Sequence, residues 1–297
     1  MKAEWFFIVN ATAGNGKSGK KINQIIEVLN RKNILFEIEL TKKRNHAVEL
    51  AKNAADEGYE KIISVGGDGT LHEVVNGLMQ SKNLQDVKLG ILPEGGGNDY
   101  VKNFNMPDKI ERCIEIFLNN HSKKVDVGKA GTSYFINSFG LGFDAKVAYF
   151  AQKIKGINGL PRYLLAVVKA MIQLEHYPMS IAINGEIIER DVLFISINNG
   201  RFSGGGFQLT PNAIPDDGQF DICIAKALSR KEIVRYLPAA IRGKHTNLPF
   251  VQMLKSTKAE IISPPVSCYF DGEIPAPETI EKIEITMFPN HLSLLVP

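Results

Sequence analysis

Two glycine-rich loops, each set between a short apolar run and a helical pattern, constrain this chain more than any other feature. The first is Val65-Gly66-Gly67-Asp68-Gly69-Thr70; the second is Leu92-Pro93-Glu94-Gly95-Gly96-Gly97-Asn98-Asp99. Glycines let a backbone turn tightly and approach a polyphosphate with no Cβ in the way. A helix that follows such a turn offers unpaired N–H groups and a partial positive charge to an anion. Asp68 stands at that mouth, where a carboxylate can hold Mg²⁺ or take a proton from an attacking hydroxyl. Gly-Asp-Gly is also ordinary turn chemistry, but the strand before it and the helix after it point to phosphate. Three consecutive glycines in the second loop are costly in a plain connector. Two such loops at neighbouring strand ends predict one ligand lying across both.

The surrounding pattern supplies those strands and helices. Over the first ~127 residues short apolar runs alternate with helical spacing, which predicts a parallel sheet with crossover helices. Strands are expected at Glu4–Val9, Leu35–Leu40, Lys61–Val65 and Lys88–Leu92. Helices are expected around Ile22–Leu29, His46–Glu57, Thr70–Met79 and Asp108–Leu118. Beyond Val127 the pattern becomes many short strands with tight turns such as Asn184-Gly185, interrupted by helices near Asp144–Gln173 and Arg230–Arg242. That half reads as a mostly antiparallel sandwich or barrel. The expected domains are therefore 1–127, α/β and Rossmann-like, and 128–297, β-rich, with the cleft between them as the default active site.

Composition excludes several classes. The 297 residues carry 35 basic and 32 acidic side chains, a net charge of +3 that is too small to argue for nucleic acid as a partner. The three cysteines, Cys113, Cys223 and Cys268, lack metal-ligand spacing and read as reduced thiols of a cytoplasmic protein. No apolar run reaches the ~20 residues of a spanning helix. Ala11-Thr12-Ala13-Gly14-Asn15-Gly16-Lys17-Ser18 nearly fits a P-loop, but Ala11 replaces its first glycine and no separate metal-binding Asp closes an apolar strand. Lys17 either touches a phosphate or is a solvated loop charge.

With these loops in view, the chain resembles the diacylglycerol kinase catalytic-domain family, in particular its soluble bacterial lipid kinases, with sphingosine kinases and NAD kinases as more distant relatives. The resemblance rests on Asn10–Gly16, Thr41 with His46-Ala47, and Gly66–His72. In the second half it rests on Ser138–Ala145, Asn198–Phe207, Pro211–Ala213, Asp216-Asp217-Gly218 and Asp271-Gly272-Glu273. It implies an ATP-dependent kinase acting on a lipid hydroxyl, diacylglycerol first, with ATP and Mg²⁺ as cofactors.

By that resemblance the nucleotide is held by Asn10, Thr41, Gly66, Gly67, Asp68, Gly69, Thr70, Leu71, His72, Gly95, Gly96 and Asn98. Glu273 is the implied general base, Asp68 the runner-up, and Asp271 belongs to the same acidic motif. A bare reading of Asp271–Glu273 would be a hairpin turn with solvated acids. The family also implies a structural Mg²⁺ on the Asp217 carboxylate and the carbonyls of Ile214 and Gln219; the bare sequence there is a good turn. Asp99 and Asp126 match further acidic positions. Gly96 departs from the family's usual Thr or Ser, removing a hydroxyl worth ~0.5–1.5 kcal/mol. A NAD kinase-like enzyme and a catalytically silent nucleotide-binding regulator are the alternatives. Lys153, Lys155, Arg162 and Lys169 flank the apolar segment Leu160–Leu174, which either rests on the inner face of a membrane or packs as an ordinary helix. A homodimer through the second half is implied by family analogy only.

Overall fold

The computed structural model describes residues 3–157, 159–275 and 279–297. The chain forms two compact units, Met1–Val125 with Asn290–Pro297, and Asp126–Pro289. Where the sequence pattern runs the second half on to 297, the last residues instead return to the first unit. They do so because Ser293 and Leu294 pair in parallel with Lys88 and Leu89, and Leu295 is buried in the core of that unit.

The first unit begins with β1 (Trp5–Val9), α1 (Ala13–Lys20), α2 (Ile22–Arg31), β2 (Phe36–Leu40) and α3 (His46–Asp56). It continues with β3 (Lys61–Gly66), α4 (Asp68–Leu78), β4 (Lys88–Pro93) and α5 (Ile110–Asn119). The strands lie in the order β2-β1-β3-β4, all parallel. Trp5, Phe7, Ile63, Val65 and Leu92 of the sheet pack with Ile25 and Leu29 of α2 and with Ile114 and Phe117 of α5. Helix α1 was not expected, since Ala13-Gly14-Asn15-Gly16-Lys17-Ser18-Gly19-Lys20 holds three glycines. Intrinsic propensity opposes it and tertiary anchoring overrides that opposition. Gly19 is pressed to Ala11, where an added Cβ would stand 2.9 Å from the carbonyl oxygen.

The second unit is strand-rich. After β5 (Ser122–Ala130), which enters it, come β6 (Ser133–Phe135), β7 (Ser138–Gly142), α6 (Phe143–Lys153), α7 (Leu160–Ile172), β8 (Tyr177–Ile183) and β9 (Glu186–Asn198). There follow β10 (Phe220–Lys226), α8 (Arg230–Ile241), β11 (Val251–Ser256), β12 (Lys258–Phe270) and β13 (Thr279–Leu295). Pairing is antiparallel along β11-β10-β9-β7-β12-β13, with β8 joining β9 to β12 in the same sense. Its core is built from alternate inward residues such as Phe139, Ile181, Ile195, Ile222, Ile261 and Ile285.

Several expected elements are redrawn. The run Tyr134–Phe139 divides at Ile136 and Asn137, whose N–H groups leave the ladder for a side chain described below. The helix expected over Asp144–Gln173 is two helices, separated where Gly156 (φ +81°) and Gly159 (φ +64°) adopt conformations that interrupt it. Conversely β12 runs through Pro264 and Pro265 with a register shift between Ile262 and Val266. The Asn184-Gly185 turn, with φ of +53° and +83°, joins β8 to β9 as its sequence predicts.

Candidate active site

Within the first unit the two glycine loops meet at backbone distance. A Cβ on Gly95 would lie 2.3 Å from the Gly67 Cα, and one on Gly66 would lie 2.4 Å from the Thr70 Oγ1. A side chain at Gly95 forces the loops apart, and one at Gly66 collides with Thr70 of its own loop. Gly67 occupies the N-cap of α4 with no side-chain cap of its own, and a helix N-terminus of this kind is where an anion is bound.

The polar groups around this mouth are organised by one another. Asp68 Oδ1 accepts the Asp99 N–H at 2.9 Å, while Asp99 carries an ion pair to Lys102 at 2.6 Å. Asn98, held at φ +49°, accepts the Gly95 N–H at 2.9 Å and donates to the Pro93 carbonyl at 3.0 Å. From the turn after β1, Asn10 donates to Thr70 Oγ1 at 3.1 Å, and its own Oδ1 accepts the Thr12 N–H and hydroxyl. The Thr41 N–H extends the sheet ladder to the Val9 carbonyl at 2.9 Å. His72 lies on the next turn of α4, its carbonyl accepting from Asn76 at 2.9 Å.

Thus Asn10, Gly66, Gly67, Asp68, Thr70, Gly95 and Asn98 are brought together, with Gly96 between the last two, while Gly69, Leu71 and His72 continue α4. Thr41 stands one strand away at the end of β2. The Lys17 side chain lies outside the described residues.

Two groups that hold this site were not singled out from sequence. Glu94 is buried and pairs with Lys21 at 2.8 Å, and its N–H donates to the Gly66 carbonyl at 2.8 Å. Glu73 on α4 accepts the Asn45 and Ala47 N–H groups at 2.9 and 3.1 Å, capping α3. A lone acid between Pro93 and three glycines was the available signal for Glu94; nothing local pointed to Glu73.

The second unit carries the acidic motif. Asp271 (φ +51°) and Gly272 (φ +87°) make a two-residue turn closed by the Phe270 and Glu273 backbone bridge. The Asp271 carboxylate is buried and accepts three backbone N–H groups, from Ile136 at 3.2 Å, Asn137 at 2.8 Å and Ser138 at 3.0 Å. Glu273 is only half-buried, and Gln152 on α6 donates to its Oε2 at 3.2 Å and to the Gly272 carbonyl at 3.0 Å. The turn is therefore a hairpin, but one of its acids is enclosed rather than solvated.

The same unit contains an apolar pocket lined by α6, α7, α8, β9, β10 and the Ser203–Phe207 loop. Its lining includes Val147, Tyr163, Val167, Leu193, Phe207 and Leu237. The described lining has no lysine or arginine. Its imidazole is His245, buried and held below its ordinary range by desolvation, and its carboxyl is Asp144. Burial pushes the Asp144 carboxyl up to about 6, against the hydrogen bond it accepts from Tyr269 at 2.8 Å. The Gly204-Gly205-Gly206 run (φ +58°, +76°, +128°) lets the wall close on α7, where a Cβ at Gly205 would sit 2.8 Å from the Gly159 carbonyl carbon.

The expected metal ligands lie at the loop before β10. Asp217 Oδ2 pairs with Lys255 Nζ at 2.7 Å, and its Oδ1 accepts the Gln219 N–H at 3.1 Å. The Ile214 carbonyl accepts the Asp217 N–H at 3.4 Å. Asp126, fully buried, accepts the Gly218 N–H at 2.7 Å. Among the described residues no three of His, Cys, Asp and Glu converge to hold a metal. These residues do not fit a divalent ion as the resemblance drew it, because the carboxylate already carries an ammonium.

Two family profiles match the chain. The diacylglycerol kinase catalytic domain matches residues 4–130, and the YegS C-terminal NAD kinase beta sandwich-like domain matches residues 137–296. Curated relatives include a diacylglycerol kinase of Staphylococcus carnosus, 28% identical over 89% of this chain and 86% of its own. A diacylglycerol kinase of Staphylococcus aureus is 30% identical over 89% of this chain and 83% of its own. A crystal structure of a diacylglycerol kinase from Bacillus anthracis superposes with a TM-score of 0.76 at 23% identity, covering 100% of this chain and 98% of that one.

Proposed function

Because the chain belongs to the diacylglycerol kinase catalytic-domain family and is an ATP-dependent lipid kinase, we propose that its lipid is diacylglycerol and its product phosphatidic acid. The observation that carries the choice is the second-unit cavity. It is apolar, and its described lining offers no cation to an anionic headgroup. A neutral lipid suits it better than a phospholipid.

In the mechanism we propose, the ATP phosphates rest on the N–H groups of Gly67–Thr70 at the start of α4. Close approach there is secured by the absence of side chains at Gly66, Gly67 and Gly95. Asp68 is the oxygen donor suited to a hard cation, and Gly97 keeps space beside it, since a Cβ there would stand 2.9 Å from Asp68 Oδ2. Mg²⁺ accompanying ATP would neutralise charge on the β- and γ-phosphates. Glu273 takes the proton from the lipid hydroxyl as its oxygen bonds to the γ-phosphorus; the bond to the bridging oxygen breaks and ADP leaves. Gln152 orients Glu273. Asp271 is a positioning residue, fixing the turn through the Ile136–Ser138 backbone.

Delivery from a membrane surface is part of the proposal. On α7 the residues Ala166, Val167 and Ala170 are buried while Leu165, Val168 and Ile172 are exposed, Ile172 at 73%. An exposed apolar stripe on the helix that carries Lys169, with Lys153 and Lys155 in the segment before it, suits an anionic lipid surface, and the same helix lines the cavity from its other side. Among the described residues no helix is long and apolar enough to cross a membrane.

The test is phosphate transfer from labelled ATP to vesicles carrying diacylglycerol, sphingosine or phosphatidylglycerol, and to NAD, with and without Mg²⁺. Labelled phosphatidic acid is expected. Transfer to another lipid would move the substrate, and transfer to NAD alone would sink the lipid reading.

A further inference from the structure

The strand β11 places Lys255 opposite Asp221 of β10 in register, and its ammonium reaches two carboxylates, Asp217 at 2.7 Å and Asp221 at 3.3 Å. Asp221 is buried, so an opposite charge beside it offsets a desolvation cost that would otherwise fall on the fold. The loop is further closed by the Gly218 N–H on Asp126 and the Asp126 N–H on the Pro215 carbonyl, at 2.7 and 2.8 Å. Asn199 also donates to the Asp126 carbonyl at 2.7 Å. Every one of these contacts is made by the chain itself.

A divalent ion on Asp217 would have to stand ~2.0–2.6 Å from its oxygen, in the place where the Lys255 nitrogen is bonded. Two cations on one carboxylate repel. The Gln219 N–H on Oδ1 also turns that residue's donor, not its carbonyl, toward the acid.

We infer that the Lys255 ammonium is the built-in counter-ion of the 214–221 loop, so that in this chain a lysine on the neighbouring strand takes the position of a structural divalent cation. The lysine is covalently supplied, so the loop closes without metal. Any Mg²⁺ dependence of turnover then arises from the nucleotide alone, and the arrangement stands independently of which lipid is phosphorylated.

The experiment is thermal melting of the full chain without nucleotide, in chelator and in millimolar Mg²⁺. Equal melting temperatures are expected for the wild type; a clear fall in chelator would overturn the inference. Lys255→Met is expected to melt about 5 °C lower, and Lys255→Arg, which keeps the charge, to stay near wild type. A Lys255→Met protein as stable as wild type in chelator would equally overturn it. If Lys255→Met does not fold, the wild-type comparison and Lys255→Arg still decide: an arginine variant that melts normally in chelator supports the counter-ion, and one that needs Mg²⁺ overturns it.

Discussion

The carboxylates of Asp271 and Glu273 stand two residues apart on one turn, yet only the first is closed in by backbone amides. Three N–H donors on a buried carboxylate mean that Asp271→Ala leaves three donors unpaired, at a cost of about 3 kcal/mol; a shift of the denaturation midpoint would measure it. Glu273→Ala should leave stability and ATP affinity intact and lower kcat by about a hundred- to ten-thousand-fold; wild-type turnover in that variant would remove Glu273 as base. Asp144 has its own signature. Its carboxyl is raised from 3.8 to about 6 by burial, so the folded state binds the proton more tightly than the unfolded one. The stability this gives is full below about 3.8 and is lost as pH rises through about 6, roughly 3 kcal/mol in all. The difference in stability between wild type and Asp144→Asn, followed from pH 4 to 7, should show that fall; a difference independent of pH would contradict it. The sequence showed both acids of this turn but not that one of them is enclosed, because Asp271 finds its partners more than 130 residues away in the chain.

At the scale of elements, the strand–glycine loop–helix units were legible because their signals are local: glycines, a preceding apolar run and a following helical pattern. What was not legible is how tightly the two loops depend on each other. Gly95→Ala puts a methyl within 2.3 Å of the Gly67 Cα, so ATP affinity should fall at least tenfold and stability by about 1–3 kcal/mol, readable by nucleotide titration and melting. Helix α1 was missed for the opposite reason, since its glycines argue locally against a helix that Lys21, Glu94 and the Ala11 contact secure from outside. Helix α7 was legible as a helix but not as to which face lay open. Leu165→Glu with Ile172→Glu should abolish sedimentation with anionic vesicles while leaving turnover of a dispersed short-chain diacylglycerol; unchanged sedimentation would remove the membrane role from this helix.

At the scale of the molecule, the two-part organisation was readable because the period of the apolar pattern changes near Val127. The return of Asn290–Pro297 to the first unit was not readable, since an apolar run such as Leu292–Val296 looks the same whichever sheet receives it. That return has a consequence in time. A ribosome makes residues 1–125 first, but the strand that completes their sheet emerges only after the whole second unit. The first unit therefore waits, with the β4 edge unpaired, while some 160 residues are synthesised and fold, and β4 is what a chaperone or a stray strand would meet in that interval.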